Sequence, residues 1–161
     1  MDTKEYLSKL LPSFKKYYTI KEADITPPFS AEAVFRSHNE QYFLIKQAKI
    51  ADIDSNDFVY FAQAKNLTKE ELEGFVNKAW DAGMAQVHPY NGHRNSDVTL
   101  IIIADSFDSN IPKIIKKTKR SKTYKWGIWG WSNFRLIAIE LTSNQIAYNR
   151  LGKDLKGLLA K

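Results

Sequence analysis

Val98-Thr99-Leu100-Ile101-Ile102-Ile103-Ala104 is the stretch that decides the fold. Successive side chains of a strand point to opposite faces, so a run this apolar, with no polar alternation, needs cover on both sides. It predicts a central strand in a sheet flanked by helices. His88–Ser96, a polar loop containing Pro89 and Gly92, leads into it.

The segments on either side supply the cover. Thr68 with Glu71 three residues later forms a capping box, and Leu67 with Leu72 is placed as a hydrophobic staple. The helix they open has a buried stripe of Leu72, Phe75, Val76, Ala79 and Trp80. A second helix begins near Ser109 or Asn110, with Pro112 in its first turn. Its Ile111, Ile114 and Ile115 face inward, while Lys113, Lys116, Lys117 and Arg120 project outward.

Further out, residues 3–18 show helical spacing of apolar side chains, with Pro12 as a kink or early break. Pro27-Pro28 then punctuates the chain. Ala31–Ser37, Gln41–Ile50 and Phe58–Lys65 are rich in β-formers, and His38-Asn39-Glu40 and Asp54-Ser55-Asn56 separate them. They read as a three-stranded antiparallel meander. Near the C-terminus, Tyr124–Trp131 and Phe134–Thr142 read as a hairpin across Ser132-Asn133. Gln145–Tyr148 adds a short edge strand, and Asn149–Gly152 turns into a terminal helix. The expected architecture is a single α+β domain over residues 1–161. Its sheet is mixed and mostly antiparallel, flanked by helices, in the order α-β-β-β-α-β-α-β-β(-β)-α.

Composition removes several function classes. The chain has no cysteine, which excludes disulfides, thiol catalysis and thiolate metal sites. Its seven glycines spell neither a Gly-x-Gly-x-x-Gly turn nor a phosphate loop, and no Gly-x-Ser-x-Gly elbow occurs. Nucleotide-dependent kinase, dehydrogenase and serine-hydrolase readings therefore lose, and no cofactor is implied. His88 and His93, with Asp97 nearby, have no preferred coordination geometry and read as an ordinary surface loop, of a kind that can border a pocket. No apolar run reaches the roughly 18 residues of a membrane span, and Met1–Leu7 lacks the apolar core of a signal peptide. A soluble cytoplasmic protein with no membrane partner is the expectation.

Charge points either to an anionic partner or to a solvated basic surface kept for solubility. Residues 109–161 hold 12 Lys/Arg against 2 Asp/Glu, a balance of +10, whereas residues 1–108 stand at −4. Seven cations fall between Lys113 and Lys125, and no Asp or Glu occurs between Asp108 and Glu140. Three of the four tryptophans follow, at 126, 129 and 131. Cations gather phosphates and aromatic faces accept bases, so the block suggests nucleic acid or another polyanion. Its candidate residues are Lys113, Lys116, Lys117, Arg120, Lys122, Tyr124, Lys125 and Trp126. One alternative is a protein-interaction or small-ligand module that uses exposed aromatics near Trp126–Trp131; another is that the tryptophans are core. Gly127 and Gly130 would then serve tight turns or bulges, and the broken alternation of Trp126-Gly-Ile-Trp129-Gly-Trp131 buries at least one of them.

Two resemblances accompany these residues. Gln63-Ala64-Lys65, closing a strand after Asp52, Asp54 and Asp57, resembles the Gln-x-Lys variant of the restriction-endonuclease-like nucleases, including the Mrr-like group. That likeness implies a metal-dependent nuclease in which Asp54 and Gln63 hold a divalent ion and Lys65 orients the attacking water. The glycine-rich approach to the family's metal-binding Asp is missing here. The second likeness spans the chain. Lys125-Trp-Gly-Ile-Trp-Gly-Trp-Ser-Asn-Phe-Arg-Leu136, with Tyr148-Asn-Arg-Leu-Gly-Lys153, resembles a family of small uncharacterised bacterial and archaeal proteins. It implies a single α+β domain and no particular role.

Overall fold

The computed structural model describes residues 1–36, 56–87 and 95–159. The chain opens with α1 (Thr3–Leu10), capped by Asp2, whose carboxylate accepts the Glu5 amide at 2.7 Å. Pro12 ends it as expected, and Leu11–Phe14 continue as a 3-10 turn. Strands β1 (Thr19–Lys21), β2 (Ala31–Arg36) and β3 (Asn56–Leu67) follow. Then come α2 (Lys69–Gln86), β4 (Asn95–Phe107), α3 (Ile111–Lys117) and β5 (Ser121–Thr123). Strands β6 (Trp131–Glu140) and β7 (Gln145–Tyr148) precede a 3-10 turn, Arg150–Leu155, and α4 (Lys156–Leu159).

The seven described strands form one sheet in the order β1-β2-β3-β4-β6-β5, with β7 also on β6. Its centre is parallel: β3 pairs with β4 and β4 with β6. The four remaining pairings are antiparallel. Val98–Ala104 occupies the middle, as its composition requires. Val98, Leu100, Ile102 and Ala104 pack beneath α2 and α3, while Ile101 and Ile103 pack beneath α1 and the C-terminal turns. The same alternation divides β3 and β6, with Phe58, Tyr60, Phe134 and Leu136 on the α2 side and Val59, Phe61, Ile137 and Ile139 on the α1 side. The N-cap half of the expected capping box is present, since Thr68 Oγ1 accepts the Glu71 amide at 3.2 Å. Helix α2 lies close on β4 at Gly83, where an added Cβ would stand 2.4 Å from Val98 Cγ2.

Two expectations are corrected. Strand β2 pairs directly with β3, Val34 opposite Phe58 and Arg36 opposite Asn56, so the two are not outer strands of a meander. Ala31 and Ala33 are small enough to seat α1 against Val59 and Phe61 there, and β1 takes the outer edge. Gln41–Ile50 and the turns flanking it, through Ser55, lie outside the described residues. In the C-terminal third, β6 starts at Trp131 and runs straight through Ser132 and Asn133, so no turn falls there. Ser132 is fully buried beside β4, which explains why its turn-like composition misleads. The partner across that edge is the three-residue β5, and Gln145–Tyr148 forms the expected edge strand, β7.

Candidate functional site

The cations expected to project outward do so. Asn110 and Pro112 start α3, Ile111 and Ile115 are buried beneath it, and Lys113, Lys116 and Lys117 are exposed. Thr118 ends the helix by donating its hydroxyl to the Ile114 carbonyl at 2.8 Å. Buried Asn149 fixes that end in place. Its amide nitrogen donates to the Thr118 and Phe134 carbonyls at 3.1 and 3.0 Å, and its oxygen accepts from the Leu136 and Gly152 amides at 3.0 and 2.8 Å. All four of its hydrogen-bonding positions are used. The basic segment is thus exposed in its side chains yet anchored in its backbone.

Two open grooves flank this segment. One, of about 440 Å³, lies between α2 and α3 along Leu72, Val76, Asn77 and Ile114. The other, of about 330 Å³, runs past Asn133, Phe134 and Arg150. Lys117, Thr118 and Lys119 line both, forming a basic ridge between them. Arg120 borders the first groove and reaches Asn77 Oδ1 at 3.4 Å. Among the described residues, no carboxylate pairs with any cation from Lys113 to Lys125. Strand β5 then carries Lys122 along the sheet edge to the loop before β6.

That loop corrects the reading of the tryptophans as core. Trp126 is 98% exposed and Trp131 40%, while Trp129 is half-buried with the Lys125 ammonium 5.2 Å from its ring centre. None of the three is buried. The broken alternation belongs to a looped segment, in which Lys125, Trp126 and Gly127 have φ of 50°, 53° and 88°. Gly127 does serve a tight turn. Tyr124 is half-buried and helps anchor the loop, its hydroxyl 2.9 Å from Ser132 Oγ and 3.6 Å from Met84 Sδ.

The nuclease-like set does not assemble among the described residues. Gln63 Oε1 accepts from Thr3 Oγ1 at 2.9 Å, and its amide nitrogen donates to Ser30 Oγ at 2.8 Å. Lys65 is exposed, and Asp54 lies outside the described residues. Asp57 is on the same strand, but six residues of strand separate it from Gln63 by about 20 Å. Among the described residues no group of three His, Asp or Glu could hold a metal. His88 and His93 fall outside them.

A second polar group, which sequence reasoning missed, gathers where β3, β4 and β6 begin, on the α1 face. The Asp57 side chain is only 8% exposed. Its Oδ2 accepts from Tyr18 Oη at 2.7 Å and Arg135 Nη1 at 3.3 Å, and its Oδ1 accepts from Thr99 Oγ1 at 2.7 Å. Asp97 sits beside Asp57 in register and beside Asn133 on its other flank. Burial, and then repulsion from Asp57, push the Asp97 carboxyl up to about 6, against opposing help from Arg135 and Asn95. Burial and the adjacent Asp57 carboxylate also raise the Tyr18 hydroxyl far above its ordinary value. No buried side-chain polar atom of the described residues lacks a partner. The only advance signal was an Asp at the head of each of two apolar strands.

A family model described as a domain of unknown function (DUF8052) matches residues 2–161. No curated protein and no solved structure matches the chain. No described helix is long and apolar enough to cross a membrane.

Proposed function

We propose that this chain, which belongs to the DUF8052 family, is a binding module for nucleic acid. The observation that carries the reading is the ridge Lys116–Arg120 between two open grooves, with no described carboxylate paired to its cations. A charge left unpaired on a surface is ordinary, because exposed ion pairs contribute little to stability. Four cations within five residues, on a backbone pinned by Asn149, are a less common arrangement. They repel one another, and a polyanion relieves that repulsion while releasing its own counterions. The grooves give a phosphate chain room on both sides of the ridge. Lys113, Lys122 and Lys125 extend the charged path at either end.

Titration of labelled single- and double-stranded oligonucleotides at two salt concentrations tests the reading. With three or four phosphate contacts, affinity for a single strand should fall about 20- to 50-fold between roughly 50 and 200 mM salt. Binding that is absent, or indifferent to salt, contradicts it.

A further inference from the structure

We infer that Trp126 is a stacking platform for an unpaired base, so that the nucleic acid held by the basic ridge is single-stranded. This rests on the proposed function and narrows it. An indole ring normally buries much of its large apolar surface, yet Trp126 leaves 98% of its own open to solvent. The backbone beneath it is strained rather than slack. Lys125 and Trp126 both lie in the left-handed region, at φ of 50° and 53°, a conformation that costs a non-glycine residue about 1–3 kcal/mol.

The strain is held by a closed set of hydrogen bonds. Tyr124 N donates to Gly130 O, while Gly127 N and Trp129 N both donate to Tyr124 O. Ile128 N donates to Lys125 O, and Tyr124 Oη sits at 2.9 Å from Ser132 Oγ. The backbone that carries the ring is therefore held, and the ordering entropy still to be lost when a ligand covers the ring is that of its side chain.

Position supplies the ligand's chemistry. From Arg120 to Trp126 the chain spans at most about 20 Å, and β5 carries Lys122 between them along the sheet edge. That distance lies within the reach of the 4–16 nucleotides that single-strand modules commonly occupy, about one protein fold each. A duplex hides its base faces inside the stack, whereas a single strand exposes them to an aromatic ring. Ile128, 71% exposed on the same loop, also gives the tip an apolar character that a lipid surface would accept. The cations, however, follow one another along the chain from α3 through β5 to the loop, an order that suits the successive phosphates of one strand.

The experiment compares an oligodeoxythymidylate of about 12 nucleotides with its duplex, against wild type, Trp126→Ala and Trp126→Tyr. Trp126→Ala should weaken single-strand binding roughly 5- to 140-fold, the 1–3 kcal/mol of one stacked base converted at 1.4 kcal/mol per decade. Duplex affinity and the thermal melt should not change, and Trp126→Tyr should recover most of the lost affinity. If Trp126→Ala binds the single strand like wild type with its salt dependence intact, stacking is overturned and the polyanion reading stands. If neither oligonucleotide binds at low salt, the polyanion reading falls and takes stacking with it. Trp126-dependent binding to vesicles rich in phosphatidylserine, without oligonucleotide binding, overturns both and assigns the loop to lipid.

Discussion

Two groups of charge meet the same end of the central sheet from opposite sides, and they are built on opposite rules. On the α1 face, Asp57 is enclosed by Tyr18, Thr99 and Arg135 within 3.3 Å, and every buried polar atom described there has a partner. On the other side, the cations of Lys116–Arg120 and Lys125 stand exposed, with no described carboxylate paired to them although Glu73 shares a groove with Lys117, Lys119 and Arg120, and the segment ends in an open indole. The first group satisfies itself, so its contribution is to folding. The second is anchored in backbone and open in side chain, so on the proposed reading its contribution is to binding. Perturbation should separate them, with stability responding to one and binding to the other.

The largest expected effect is on the enclosed side. Asp57→Ala leaves the Arg135 guanidinium half-buried without its carboxylate and removes two hydroxyls' acceptor, which should cost about 3–5 kcal/mol in urea unfolding. A loss below about 1 kcal/mol would erase the distinction between the two groups. Asn149→Ala comes next, at about 3 kcal/mol, because it strands the Leu136 amide and the Thr118 and Phe134 carbonyls together. It should also loosen the ridge's support, so any nucleic-acid affinity should fall with it.

Asp97 offers a smaller and pH-dependent test. Its folded value of about 6 lies above the ordinary 3.8, so the folded state keeps the proton longer than the unfolded chain. Stability from this group is complete below about pH 4 and is lost as pH rises through about 6. Asp97→Asn should therefore stabilise the protein by up to about 3 kcal/mol at pH 7.5, little at pH 4, and flatten this part of the profile. Equal effects at both pH values would mean that neither burial nor Asp57 raises the Asp97 carboxyl. The smallest effect on stability belongs to the open side. Changing Lys116, Lys117 and Arg120 together to Ala should shift unfolding by no more than about 0.5 kcal/mol in total.

The pattern of legibility follows the same divide. Elements governed by local periodicity were readable: the capped α2 from Thr68 and Glu71, the doubly covered Val98–Ala104, and the β7 edge strand. So was the outward stripe of Lys113, Lys116 and Lys117, because helical spacing fixes which side faces water. Pairings set by distant segments were not. The direct β2–β3 contact contradicts the simplest connection between neighbours, and nothing near Ala31 announces it. The enclosed group was invisible for a related reason: Asp57, Thr99 and Arg135 come from three separate strands and Tyr18 from the bend before β1, and Arg135 lies 78 residues from Asp57. The tryptophans misled because glycine spacing suggested a bulged strand, whereas consecutive positive φ angles make a loop that holds Trp126 in solvent.

The central claim is that the open ridge, and not the enclosed group, meets the ligand. Its most direct test is the slope of log affinity against log salt for a single-stranded oligonucleotide. Wild type is compared with the variant carrying Ala at Lys116, Lys117 and Arg120. If these three cations contact phosphates, the slope should become shallower by about 2 while the unfolding midpoint stays in place. An unchanged slope with a folded variant would contradict the account.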